Sequence, residues 1–193
     1  LSGSAGGSAT VWDATSGMTL ATLQVGGCHM PPVAFSSDGQ RVFAACDRIA
    51  GVWSATSGRR LTTLQRGDRD NMMRSATFSA DGRRLVTASY DRTASVWDAT
   101  SGGLLARLHG HLAQVYPATF SPDGRFIATA SSDDTVRLWD STSGRLLATI
   151  PRRRIDTPRA PFNYYGGPVV EAAQPGGFTI GLGTAAFSPN SLQ

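Results

Sequence analysis

Four tryptophans stand at positions 12, 53, 97 and 139, separated by 41, 44 and 42 residues (53−12, 97−53, 139−97). A Phe-Ser pair begins at Phe35, Phe78 and Phe120, with spacings of 43 and 42. Two independent markers with one period make the chain a tandem repeat, which restricts it to architectures in which one small unit packs on copies of itself. The copies read as 33–65, 76–108 and 118–150, and each holds four short apolar stretches parted by turn signals. In the last copy the stretches are Ala118–Ser121, Arg125–Ser131, Thr135–Asp140 and Leu146–Ile150. Asp123-Gly124 and Ser143-Gly144 suit tight turns, because glycine tolerates positive φ and Asp or Ser bonds to the nearby backbone. Four such strands form an antiparallel meander that cannot bury both of its faces alone, so neighbouring copies must cover it.

Composition agrees with a packed chain. Of 193 residues 40% are hydrophobic and 17% charged, which argues against global disorder. No apolar run approaches the length needed to cross a bilayer. The opening LSGSAGGSAT lacks the regions of a signal peptide, and the expectation is a cytoplasmic segment cut from a longer chain. Two cysteines, Cys28 and Cys46, form no CxxC pair, which implies no disulfide framework and a reducing compartment. The net charge is +4 and every basic residue except histidine is arginine. Arg59, Arg60, Arg83, Arg84, Arg125 and Arg145 each follow a turn glycine and read as solvated turn charges, so only Arg152–Arg154 forms a basic run.

These residues resemble the WD-repeat β-propeller family, and in particular bacterial-type WD-repeat proteins. Gly110-His111 opens the best copy and Trp139-Asp140 closes it; Trp97-Asp98 and Trp12-Asp13 repeat the ending, whereas Trp53-Ser54 lacks the acid. The resemblance implies an all-β fold, a partial propeller of about four to five four-stranded antiparallel blades. It also implies a hydrogen-bonded tetrad inside the blade, here His111, Ser131, Asp133 and Trp139. Ser131, His111 and Asp133 look like a hydrolase triad, but the repeated motif and the indole at the end of the relay make them structural. Other blades hold only parts of the set: Ser89, Asp91 and Trp97 in one, Asp47 and Trp53 in another, with Ala45 at the serine position, and Trp12 in the first.

The ends are irregular. Residues 1–24 parallel the second to fourth strands of a blade; 160–182 read as a worn blade or an insertion; 183–193 read as the first strand of a further or closing blade. Two closures follow: a small ring completed by the strand near Phe187, or an open arc of a larger ring.

No HExxH, GxxxxGK[ST] or paired CxxC occurs, and Cys28, His29 and Cys46 lack a fourth zinc ligand. The expectation is therefore a non-catalytic chain with no cofactor and no metal. In the family, partners use the rim formed by loops before the first strand and between the second and third. The matching positions are Met72, Arg74 and Tyr90 in one copy and Gln114, Tyr116 and Ser132 in the next. The expected role is a protein-interaction scaffold or sensor that binds proteins or peptides at this rim, with no membrane partner. Two alternatives stand beside it: nucleic-acid binding through arginine-rich loops, and an accessory domain of a larger signalling NTPase or kinase.

Overall fold

In the computed structural model, the described residues are 2–3, 8–26, 32–46, 49–64, 73–151, 170–172, 178–181 and 184–187. They form five antiparallel sheets. The first contains Ser2–Gly3, Ser8–Trp12 and Thr19–Gln24. The second contains Val33–Phe35, Arg41–Ala45, Ala50–Ser54 and Arg60–Thr63. The third contains Met73–Phe78, Arg84–Ser89, Ala94–Asp98 and Leu104–Leu108; the fourth contains Val115–Phe120, Phe126–Ser131, Thr135–Asp140 and Leu146–Pro151. Each four-stranded sheet is a simple meander in chain order, as blades of a β-propeller are.

The fifth sheet joins Val170–Ala172, Phe178–Gly181 and Thr184–Phe187. Thr184–Phe187 was expected to open a further or closing blade. It pairs with Phe178–Gly181, in a register that sets Thr184 opposite Gly181. The same strand lies against the first two strands of the fourth sheet.

The strands alternate sides, and this places the core between sheets rather than within any one of them. Ala9, Val11, Leu23 and Val25 of the first sheet pack against Val42, Ala44, Trp53 and Ala55 of the second. Phe43, Val52 and Leu64 on the reverse of the second sheet pack against Phe78, Leu85 and Trp97 of the third. Val86, Val96 and Leu108 on the reverse of the third meet Val115, Phe120, Ile127 and Trp139 of the fourth. One geometric rule thus recurs three times: a tryptophan-bearing face covers the back of the preceding sheet. Trp53, Trp97 and Trp139 are each 2% exposed, whereas Trp12 is 45% exposed, since among the described residues no sheet precedes it.

Polar side chains build the connections. Asp98 Oδ1 accepts from the Thr100 and Ser101 N–H groups at 3.0 and 2.6 Å and from the Ser101 hydroxyl at 2.9 Å. Asp13 and Asp140 repeat this arrangement, and Ser54 substitutes with its hydroxyl, which accepts from Ser57 N–H at 3.2 Å. The acid of the Trp-Asp pair therefore holds an outer turn. At the connection between the first two strands, on the same end of each sheet, Ser36, Ser79 and Ser121 donate to Asp38, Asp81 and Asp123 at 2.5–2.6 Å. Those hydrogen bonds come first in holding each of the three carboxyls below the usual carboxylate range.

Arg84 corrects the reading of turn arginines as solvated charges. Its guanidinium crosses to the fourth sheet, donating to Ser141 O and Ser141 Oγ at 3.1 Å and to Gly124 O at 2.9 Å, and lies over the Phe120 ring. Arg41 makes the corresponding approach to Phe78 of the third sheet. In the fourth sheet the position holds Phe126. Cys46 is disulfide-bonded, which corrects the reading of the cysteines as unlinked and removes that argument for a reducing compartment; Cys28 lies outside the described residues.

Outer turns also touch the preceding sheet. Gly102 has φ +74°, and a Cβ there would overlap Thr63 O. Gly17 has nearly the same φ, +69°, with nothing within 4 Å. Left-handed backbone costs an L-residue about 1–2 kcal/mol, and overpacking adds about 1–3. Gly17→Ala should therefore destabilise by about 1–2 kcal/mol and Gly102→Ala by about 2–5, measured by urea unfolding. Equal losses would show that the approach of the Gly102 turn to Thr63 does not constrain the stack.

Candidate functional site

The buried polar relay of the fourth sheet comes first, because it fixes the edge on which the rim residues stand. Trp139 Nε1 donates to Thr129 Oγ1 at 2.9 Å. The same hydroxyl lies 2.8 Å from His111 Nε2, and His111 Nδ1 lies 2.8 Å from Asp133 Oδ2. The hydroxyl of the relay is Thr129, and Ser131 is excluded from it. Ser131 instead donates to Ala113 O at 3.0 Å and accepts from Asp133 N–H at 3.1 Å.

The register explains the correction. Trp139 pairs with Ile127 and Arg137 with Thr129, so Thr129 is the diagonal neighbour of the indole and Ser131 is one pair farther along the same face. The third sheet repeats this, with Trp97 Nε1 donating to Thr87 at 2.9 Å, while Ser89 accepts from Asp91 N–H at 3.3 Å. In the second sheet Val42 pairs with Trp53 and Ala44 with Gly51, so Ala44 stands where the threonine would be. Cys46, whose N–H donates to Ile49 O, takes the serine position that had been assigned to Ala45; this hairpin is one residue shorter. Asp47 lies outside the described residues. Trp53 is nevertheless as buried as the other two. Burial therefore places the indole, and the relay adds about 0.5–1.5 kcal/mol per hydrogen bond.

Donor accounting sets the protonation state. Indole N–H only donates, so Thr129 accepts from it and gives its own hydrogen to His111 Nε2, which leaves the Nδ1–H to donate to Asp133. This is a neutral imidazole. Desolvation lowers the His111 pKa, and the Asp133 partner offsets this only in part. Burial works to raise the Asp133 carboxyl, but Thr135, the Leu112 N–H and His111 all donate to it and hold it well below the usual carboxylate range. It accepts at 2.6 Å from the Thr135 hydroxyl, 3.0 Å from Thr135 N–H and 2.8 Å from Leu112 N–H, besides His111.

The rim residues lie at the edge that this relay braces. The first strands of the third and fourth sheets begin at Met73 and Val115, each three residues before the expected 76 and 118 (76−73, 118−115). Both added stretches contain a register shift, between Met73 and Ser75 and between Val115 and Ala118. Arg74 and Tyr116 fall within these bulges, 42 residues apart (116−74). A bulge leaves its extra residue out of the ladder and re-aims the side chain. Pro117, which has no N–H to donate, suits the second of them.

The two bulges bring one copy against the next. Arg74 places its guanidinium carbon 4.6 Å from the Tyr90 ring centre and 5.9 Å from that of Tyr116. The two rings meet edge to face, 5.9 Å apart with 77° between their planes. The Tyr116 hydroxyl donates to Gln114 Oε1 at 2.6 Å. Arg74 and Gln114 are exposed, and both tyrosines are partly buried. Four of the six expected rim residues thus form one patch across the seam between two sheets. Ser132 is exposed on the hairpin of the fourth sheet, its N–H donating to Gln114 O at 3.0 Å, and Met72 lies outside the described residues. Sequence reasoning missed Leu112, which is 78% exposed in the loop that supplies a donor to Asp133. Its signal was a lone leucine directly after Gly110-His111.

The family model for the WD domain, G-beta repeat, matches residues 58–98 and 102–140. This is a WD-repeat chain. The matched spans end on the two tryptophan-aspartate pairs whose indoles reach Thr87 and Thr129. No curated protein matches it. Among the described residues no cluster of His, Cys, Asp and Glu is placed to hold a metal ion.

Thr129→Val strips the acceptor from Trp139 and the donor from His111, leaving two buried groups unpaired. It should cost at least about 2 kcal/mol, against about 0.5–1.5 for Ser131→Ala. Chemical denaturation of both variants gives the order, and a costlier Ser131→Ala would restore serine to the relay. The pH dependence has a definite sign. A folded-state His111 pKa below 6.5 means that the unfolded chain binds the proton more readily, so stability is full above about pH 6.5 and falls as pH is lowered. Asp133 adds a second loss below about pH 4, in the same direction. Unfolding midpoints at pH 7.5 and 5.5 should differ in the parent and converge in His111→Asn; a parent midpoint that does not move rejects a neutral buried imidazole.

Proposed function

We propose that this WD-repeat chain is a non-catalytic binding module that holds proteins or peptides on the patch of Arg74, Tyr90, Gln114 and Tyr116. WD repeats generally mediate protein–protein interaction and are typically non-catalytic. The observation that carries the reading is the stacking of Arg74 on two tyrosines that belong to different sheets. Tyrosine and arginine supply much of the binding energy at protein interfaces, because each offers a large, stiff contact surface with a polar tip. Here Arg74 and Tyr116 stand on bulges and Tyr90 in a turn, so a partner reaches them without disturbing the core. A scaffold or sensor role fits such a patch.

The Ser-His-Asp appearance supports no hydrolase. The Ser131 hydroxyl bonds to Ala113 O and Asp133 N–H, and the imidazole is spent between Thr129 and Asp133. The nucleic-acid alternative rests on Arg152–Arg154, which lie outside the described residues, and on turn arginines of which Arg84 is committed between sheets.

A random-peptide display selection on the whole chain tests the proposal. Selected peptides should lose at least about tenfold in affinity for a chain carrying Arg74→Ala, Tyr90→Ala and Tyr116→Ala together, with its melting temperature within a few degrees of the parent's. Peptides that bind the triple variant as well as the parent would remove the patch from the proposal.

A further inference from the structure

Resting on that reading, we propose that the rim selects acidic peptides, with an Asp or Glu carboxylate of the partner gripped by the guanidinium fork of Arg74. The evidence is a mismatch of charge on the rim. Among the described residues, Asp133 and Asp91 spend their carboxylates on hydrogen bonds within their own sheets, and Asp134 stands exposed in the hairpin of the fourth sheet. Asp133 accepts four hydrogen bonds, from His111, the Leu112 N–H and both donors of Thr135. Asp91 Oδ1 accepts from the Thr93 N–H at 3.0 Å and its hydroxyl at 2.7 Å. The guanidinium of Arg74 has no such engagement. Among the described residues the ion pair formed is His111–Asp133, and Arg74 touches two ring faces instead of an acid.

Ring faces and carboxylates use different parts of a guanidinium. Tyr90 and Tyr116 neighbour the cationic carbon, 4.6 and 5.9 Å from their ring centres, whereas the N–H groups of a guanidinium match the two oxygens of a carboxylate. Two rings set 77° apart flank the side chain before a ligand arrives. A side chain already oriented loses less freedom on binding, so the contact yields more affinity than an unsupported surface arginine would. Arg92, exposed two residues after Tyr90 in the same turn, adds a second cation beside the patch. An approaching acidic segment therefore meets positive charge where the third and fourth sheets jointly present aromatic surface.

Fluorescence anisotropy with the whole chain tests this, using three labelled decapeptides that differ only in their alternating residue: Glu, Gln or phosphoserine, with Gly-Ser between. The Glu peptide should bind at least about tenfold more tightly than the Gln peptide at about 0.15 M salt. Arg74→Gln should abolish that preference, and Arg74→Lys should abolish most of it, since an ammonium keeps the charge without the fork. Melting temperatures of both variants should match the parent's. Equal binding of Glu and Gln peptides, or a preference that persists in Arg74→Gln, overturns the proposal. Binding confined to the phosphoserine peptide overturns the carboxylate assignment. The display selection separates this failure from failure of the rim itself. Neutral selected peptides that still need the patch would reject acid selectivity and keep the rim, whereas peptides indifferent to the triple variant would reject both.

Discussion

Burial of sheet faces against neighbouring copies is the constraint on which the rest of this structure depends. A four-stranded meander of this sequence has Val, Leu and Ala on one side and a tryptophan on the other, and neither side can be left in water. Packing copies in series satisfies both at once, with the tryptophan side of each sheet set on the back of the one before. Fully burying a large apolar side chain is worth about 1.5–3 kcal/mol, so several at each junction outweigh any single hydrogen bond in the relay. Trp53 shows the hierarchy directly, since it is buried with Ala44 in place of the hydroxyl its counterparts use.

Given that stacking, the polar chemistry is a set of local answers to burial. The indole needs an acceptor, which Thr129 supplies. The threonine's own hydrogen needs a receiver, which His111 supplies by remaining neutral. The histidine's second nitrogen needs an acceptor, and Asp133 takes it together with the loop before the sheet. The relay thereby ties the inner hairpin to the loop that precedes the first strand, and these two segments carry the rim. Arginine does comparable work between sheets, where Arg84 bonds to two carbonyls and a hydroxyl of its neighbour.

Most of the architecture was legible in the spacing of Trp and Phe-Ser and in the Asp-Gly and Ser-Gly turns, because these report strand length and turn type directly. The identity of the relay hydroxyl was not. Thr and Ser both recur before Trp97 and Trp139, ten and eight residues earlier (97−87 and 139−129; 97−89 and 139−131), and all face the same way. Only the pairing register distinguishes a diagonal neighbour from one a pair beyond it. The same limit hid the inter-sheet role of Arg84, since a charged residue after a turn glycine looks solvated until the adjacent sheet is in place. The rim was half legible. A 42-residue offset linked Arg74 with Tyr116 and Tyr90 with Ser132, but it did not show that Tyr90 of one sheet leans on Tyr116 of the next.

The bulges at Arg74 and Tyr116 have a consequence for how such a chain acquires new partners. A residue inside the ladder belongs to one face or the other, and changing it alters a core or a seam. A residue in a bulge belongs to neither. Its identity is uncoupled from the register that holds the stack together, so drift or selection can rewrite these two positions while the fold stays fixed. Under the proposed function, the third and fourth sheets would each lend the shared edge one side chain that the register leaves free to change.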